Sequence, residues 1–305
     1  MRIVFIGAVD FSQHALRCVL EDGGDVVAVL TLPPDRAYIH SDFADLAPVA
    51  AEYGVPLHHV RKTNDPATIE LIRSLAPDVI FIFGWSQLVP PEVLSIPRLG
   101  CIGIHPTLLP KNRGRHPLIW ALVEGLEESG LTFLYLDEGA DSGDLLWQRP
   151  FKITLEDDAG SLYERIKNLA CEAIHEFLPQ LEQDTAPRVP QDHAQATYRR
   201  KRTEQDGEID WSISTRATYD LIRALSRPYP GAHTYWNGSK VTVWRAALPD
   251  PALSSRSDGA SLGTVEHAPD GTLRVRTGDG YLTLVDYETA NGSRIPSGAR
   301  LGDGA

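Results

Sequence analysis

Cysteine is scarce in this chain of 305 residues, which has only Cys18, Cys101 and Cys171. They are odd in number, far apart and in no CxxC spacing. The expectation is reduced, mostly buried thiols in a reducing compartment, with neither a disulfide framework nor a zinc site. Positive charge is short as well. Twenty-nine Lys and Arg against forty-one Asp and Glu leave a formal charge of −12, which gives little electrostatic help in binding a polyanion. No apolar run approaches the ~20 residues of a membrane helix, and the apolar stretch in MRIVFIGAVDF is too short for a signal peptide. The cytoplasm is the expected location, with no membrane partner. Gly7-Ala8-Val9-Asp10 is not GxGxxG, no GxSxG elbow occurs, and no His/Cys/Asp group has metal spacing. Dinucleotide, serine-nucleophile and metal mechanisms therefore lack a signal. General acid–base and electrostatic catalysis remain.

What is present is an ordinary globular composition, 42% hydrophobic and 23% charged, long enough to bury a substantial core. Continuous apolar runs at 2–7, 25–32, 56–60 and 78–84 alternate with helical patterns at 11–21, 43–53 and 66–75. That alternation predicts right-handed βαβ units. The fold class is α/β: a Rossmann-like, mostly parallel sheet with helices on both faces. Further strands are expected at 101–105, 131–137 and 145–153, and helices at 117–124 and 158–181, the latter with Asp158 near its start. Residues 186–205 are polar and read as a linker between a catalytic domain, 1–185, and a small β-rich domain, 206–305. In the latter, a helix at 215–226 and short strands at 233–236, 240–246, 262–266, 272–276 and 281–287 suggest a small barrel.

In open α/β sheets, ligands bind beyond the carboxyl ends of the strands. Three polar segments fall there: GWSQL at 84–88, GIHPTLLPKNRGRH at 103–116 and DEGADSGD at 137–144. His105 ends a buried strand and is suited to proton transfer. Asp141, in a turn between Gly139 and Gly143, is a carboxylate able to orient that ring. Taken singly, each has a plainer reading, as a core histidine and a turn residue.

The segments HPTLLPKNRG, PLIWAL and LDEGADSGDLL, with DGEIDW and IRALSRPYPGAHTYWNGSKVTVW, resemble the 10-formyltetrahydrofolate-dependent formyltransferase family over nearly the whole chain. By that resemblance His105 and Asp141 are the catalytic pair. The pterin of 10-formyltetrahydrofolate lies between Trp85, Ser86, Gln87 and Leu88 on one side and Leu136, Asp137 and Glu138 on the other. No metal is implied. Asp210, Trp211 and Arg223 are expected to pack the small domain against the catalytic one. One departure stands out: the family's third catalytic residue, an Asn two positions before the histidine, is Gly103 here. Loss of one oxyanion donor costs about 10²–10³ in rate. Asn112, Ser142, His116, a backbone N–H or a water held in the space at Gly103 are the candidate substitutes.

The acceptor is expected to be the amino group of a nucleotide-linked amino sugar. Residues 33–46 hold one Arg and three Asp, poor equipment for a phosphate backbone, and the RPYPGAHTYW segment looks closer to the sugar N-formyltransferases. Lys111, Arg113 and Arg115 are then placed to reach a diphosphate, the other readings being a solvated positive rim or, for Arg113, a brace of the loop. Homodimers are common among the sugar enzymes. The alternatives are methionyl-tRNA as acceptor, with tRNA the less expected partner, or a weakly catalytic folate- or sugar-nucleotide-binding homologue.

Overall fold

A computed structural model describes residues 1–249, 260–268 and 271–302. The chain divides into two units. The first comprises Met1–Pro117, Glu128–Lys152 and Tyr163–Arg200; the second comprises Leu118–Glu127, Ile153–Leu162 and Lys201–Ala305.

The first unit holds a seven-stranded sheet. Its strands are β1 (Arg2–Ile6), β2 (Asp25–Thr31), β3 (Leu57–His59), β4 (Val79–Ile82), β5 (Cys101–His105), and, after a two-residue strand β6 (Arg113–Gly114), β7 (Glu128–Tyr135) and β8 (Leu145–Lys152). The order is β3-β2-β1-β4-β5-β7-β8. The first five in that order pair in parallel; β5–β7 and β7–β8 are antiparallel. The helices of this unit are α1 (Asp10–Glu21), α2 (Ala47–Glu52), α3 (Pro66–Leu75), α4 (Pro91–Leu94) and, after α5 (Pro117–Val123), which falls almost wholly in the second unit, most of α6 (Ala159–Glu182). The start of α6 is set as its sequence indicates, since Ser161 N donates to Asp158 Oδ1 at 2.9 Å.

The central strands are buried on both faces, which is why they read as unbroken apolar runs. Val4, Ile6, Ile80 and Ile82 point to one face, into a cluster with Ile72 and Ile69 of α3. Phe5, Phe81, Phe83 and Phe133 point to the other, where they meet Phe177 of α6. Ring centroids there lie 5.0–5.6 Å apart for Phe133–Phe177, Phe81–Phe83, Phe83–Phe133 and Phe5–Phe83, the separations favoured by aromatic pairs.

The expectation of unpaired thiols does not hold. Cys18 on α1 and Cys171 on α6 are joined by a disulfide, with Cα atoms 5.5 Å apart and 153 residues between them. His14, one turn before Cys18, lies beside them, so that its ring nitrogen and the two sulfurs all fall within 4.8 Å of one another. Linear spacing conceals such a group, because only the packing of α1 against α6 assembles it. Cys101 is the free, buried thiol.

The second unit contains α7 (Thr215–Ala224) and a five-stranded antiparallel sheet; a two-residue strand, β9 (Tyr198–Arg199), precedes it in the chain. The sheet strands are β10 (Ala232–Trp236), β11 (Ser239–Ala247), β12 (Val265–His267), β13 (Leu273–Arg276) and β14 (Tyr281–Thr289), in the order β10-β11-β14-β13-β12. Arg223, 4% exposed, donates to Asp220 Oδ1 at 2.7 Å and to the carbonyls of Thr154 (2.7 Å) and Asp157 (2.9 Å). Trp211 Nε1 donates to Thr234 Oγ1 at 3.0 Å. All of these partners belong to the second unit. Arg223 therefore ties the small domain to residues 154 and 157, which lie within the stretch 1–185 read as catalytic but belong to the second unit. Among the described residues, no helix is long and apolar enough to cross a membrane.

Phe133 is fully buried and touches the rings of Phe83, Trp147 and Phe177. Phe133→Ala is expected to lower unfolding free energy by about 3–5 kcal/mol. Urea denaturation checks this: the midpoint should fall while the slope with denaturant is unchanged.

Candidate active site

β5 is the strand at which pairing changes from parallel to antiparallel, and His105 is its last residue, opposite Thr132 on β7. The following loop is held by polar groups. Thr132 Oγ1 donates to Thr107 O at 2.6 Å, Thr107 Oγ1 to Lys111 O at 3.0 Å, and Gln148 Nε2 to Leu109 O at 3.0 Å. The loop returns so that Asn112 O lies 2.8 Å from His105 Nε2. A carbonyl only accepts, so Nε2 carries a hydrogen and donates it. The other ring nitrogen, Nδ1, faces Asp141 Oδ1 at 3.6 Å. The His105 side chain is 5% exposed and that of Asp141 21%, so the carboxylate is the more accessible member of the pair. It lies opposite the positive charge that develops on the ring when Nδ1 takes up a proton. The 3.6 Å gap exceeds a hydrogen bond and is of the kind that closes when substrate binds.

Asp141 has a left-handed backbone, φ 54°, a conformation that aspartate tolerates better than most residues. Two partners hold it. Gly114 N donates to its Oδ2 at 2.8 Å, which leaves Oδ1 for the histidine. Gln191 Nε2 donates to the backbone oxygens of Asp141 (2.9 Å) and Gly143 (2.6 Å). Gln191 Oε1 in turn accepts from Arg113 Nη2 at 2.7 Å. Residues 186–205 therefore reach into the site's support. β9 pairs in parallel with β6, Arg113 N donates to Thr197 O at 2.9 Å, and Arg115 N to Arg199 O at 3.1 Å.

Of the three cations expected near a diphosphate, Lys111 and Arg115 are exposed. Arg113 is 2% exposed and turns inward to Tyr198 Oη (2.9 Å), Gln191 and His193 Nδ1 (3.1 Å). It braces the loop. Gln191, Thr197 and Tyr198 gave no sequence signal, since a polar stretch with two prolines looks alike whether it is a spacer or a strap.

The expected folate-flanking residues fall in two groups. Trp85 and Leu136 both pack against the apolar cluster containing Ile82 and Cys101, so the two loops meet there. Trp85 Nε1 is buried without a hydrogen-bond partner, and Leu88 beside it is 79% exposed. Gln87 is held by the 61–63 segment, donating to Arg61 O at 2.8 Å and accepting from Thr63 N at 3.3 Å. Ser86 Oγ lies 3.4 Å from His40 Nε2. Burial, and secondarily Arg115, hold that imidazole below the ordinary histidine range against the pull of Asp42. Across from them, Asp137 accepts from Ser142 Oγ at 2.7 Å and Gly139 N at 3.0 Å, and Glu138 is exposed.

The space at Gly103 is filled. A Cβ there would stand 2.5 Å from Leu136 Cδ2 and 3.0 Å from Leu136 Cγ. Residues i and i+2 of a strand share a face, so Leu136 covers the position on the His105 side where the family's carboxamide would stand. Of the other candidate donors, Ser142 Oγ is committed to Asp137. Asn112 turns its Oδ1 toward Thr197 Oγ1 at 3.4 Å, leaving its NH2 as the donor end.

Comparison with known proteins identifies the family. The Formyl transferase model matches residues 1–178, and the Formyl transferase C-terminal domain model matches 201–299. The methionyl-tRNA formyltransferase of Lachnospira eligens is 33% identical over 304 residues, covering 99% of this chain and 96% of its own length. That of Pelotomaculum thermopropionicum is 34% identical, covering 98% and 94%. Among solved structures, the N-formyltransferase from Helicobacter canadensis, in complex with folinic acid and dTDP-3-aminofucose, superposes with a TM-score of 0.69 at 16% identity, covering 94% and 99%. A likeness at that identity is a likeness of fold. The expectation of a nucleotide-linked amino-sugar acceptor is overturned by the full-length relatives, which carry the tRNA name. The acidic 33–46 segment misled because charge speaks to non-specific attraction for a phosphate backbone, not to which amine a site accepts. The chain belongs to the formyl transferase family, N-formyltransferases whose one-carbon donor is 10-formyltetrahydrofolate.

Proposed function

We propose that the protein formylates the α-amino group of methionyl-tRNA, using 10-formyltetrahydrofolate. The observation that carries this reading is the 33–34% identity to methionyl-tRNA formyltransferases, which runs through both units and not the catalytic one alone.

The chemistry is direct acyl transfer. The acceptor nitrogen attacks the formyl carbon and the carbonyl oxygen becomes an oxyanion. A proton leaves the attacking nitrogen for the His105–Asp141 pair, entering on the more exposed carboxylate side. The tetrahedral intermediate collapses, the C–N10 bond breaks, and the proton passes to N10 of the departing tetrahydrofolate. Asn112 is the side chain assigned here to the oxyanion, since Gly103 offers none and Ser142 is engaged. Trp85 Nε1 and the backbone of 84–88 and 136–138 take the pterin. Lys111 and Arg115, exposed beside the catalytic loop, face the phosphates of the acceptor end.

Formylation of methionyl-tRNA by the purified protein is the direct test, read as a mobility shift of the aminoacyl-tRNA on an acid gel. His105→Ala and Asp141→Asn are expected to lower kcat by about 10²–10⁴ while leaving the thermal midpoint within a few degrees. A parent enzyme that formylates a sugar-linked amine and leaves methionyl-tRNA untouched would sink the reading.

Asn112→Ala should cost about 10²–10³ in kcat with KM for the folate little changed; an unaltered kcat removes Asn112 from the oxyanion role. Gly103→Asn is expected to overpack against Leu136, destabilising by about 1–3 kcal/mol without raising kcat. Adding Leu136→Ala should restore the stability. Activation by Gly103→Asn alone would show that the site is not filled as described.

A further inference from the structure

We propose that Cys18 and Cys171 form a reversible thiol–disulfide couple, opened and closed by exchange with small-molecule thiols and disulfides, with His14 as the base that draws the proton from Cys171. The couple lies in a polar seam between α1 and α6, outside the residues assigned to formyl transfer. Asp10, His14 and Cys18 follow one another at intervals of four on α1 and so line one face. Lys167 and Cys171 do the same on α6. Lys167 Nζ bonds Asp10 Oδ2 at 2.8 Å, His14 Nε2 lies 3.2 Å from Cys171 Sγ, and His175 Nδ1 lies 3.3 Å from Asp22 Oδ1.

The two sulfurs differ in access. Cys18 is 8% exposed, whereas Cys171 is half-buried and has the imidazole beside it. Burial, and then Lys167, hold the His14 ring below the ordinary histidine range, so that at neutral pH it is an acceptor for the thiol proton. Cys101 makes the contrast: burial pushes its thiol up to about 12, and an un-ionised thiol does not exchange.

Closure takes two steps. The Cys171 thiolate attacks one sulfur of the external disulfide, forming a mixed disulfide and releasing one thiol, which takes the proton from His14. The Cys18 thiolate then attacks the Cys171 sulfur, forming the internal bond and releasing the second thiol. Two protein thiols are oxidised and one external disulfide is reduced to two thiols. Opening is the reverse.

The bond closes a span of 153 residues and ties α1 to α6. At its other end α1 holds the exit of β4. Ser12 Oγ accepts from Ala8 N and Val9 N and donates to Phe83 O at 2.6 Å, the residue just before Gly84 and Trp85. Opening the couple therefore removes the covalent tie between α6 and the helix that supports the 84–88 loop.

The test uses the full chain in buffers of reduced and oxidised glutathione, quenched with acid, alkylated and weighed intact. On reduction two labels should appear together, while the third, on Cys101, appears only on unfolding. The oxidised form should melt on the order of 10 °C above the reduced form. Cys18→Ser should trap a glutathione adduct on Cys171. His14→Gln should slow closure at least about tenfold without moving the equilibrium ratio. Two thiols that stay unlinked at every glutathione ratio would overturn the couple. So would one equivalent of zinc in the protein as isolated, protecting both thiols until it is chelated. An unchanged closing rate in His14→Gln would overturn the role of the base. All readouts report the covalent state itself and hold whichever amine is formylated.

Discussion

The hydrogen bond from Gly114 N to Asp141 Oδ2 decides what the site can do. It uses one carboxylate oxygen and so leaves the other opposite His105 Nδ1. The aspartate is itself held in a left-handed turn, and Gln191 grips the backbone carbonyls of Asp141 and Gly143. The ring is fixed from its other end by Asn112 O. The catalytic loop and the Asp141 turn are thus locked to each other, with His105 and Asp141 face to face between them. The lock is braced by Arg113, a buried cation whose contacts are Gln191, His193 and Tyr198.

That arrangement rests on the sheet beneath it. β5 is the seam between the parallel and antiparallel halves, and it carries both Gly103 and His105 on one face. The two apolar faces of the sheet, phenylalanines against α6 and aliphatic residues against α3, keep the seam rigid. Leu136 follows from the same crowding. Its backbone N–H bonds Cys101 O at 2.7 Å, which brings its side chain over Gly103. The missing carboxamide is replaced by an apolar contact.

Much of this was legible in the residues themselves. The unbroken apolar runs marked the buried parallel strands, because strands covered on both faces have no polar side to reveal. Asp158 marked the start of α6. His105 and Asp141 were legible because each sits inside a long motif, HPTLLPKNRG and LDEGADSGDLL. The strap at 193–199 was not legible: its pairing with β6 is a two-residue contact, too short to leave a period. For Arg113 the sequence left a phosphate-facing cation and a loop brace side by side, because its partners Gln191, His193 and Tyr198 lie about eighty residues away. The acceptor was misjudged from local charge, which does not report the shape of an amine site.

By itself the sequence determined most of the strands and helices, and which two residues its family motifs offer for acid–base chemistry. Hydrophobic period and local motif are properties of neighbours along the chain, and neighbours are what a sequence displays. Only the tertiary structure decided the partners: Cys18 with Cys171 across 153 residues, Gln191 with Asp141, Leu136 over Gly103. Each joins groups remote in sequence, and which remote groups meet is settled by packing of the whole sheet and its helices, not by any local preference.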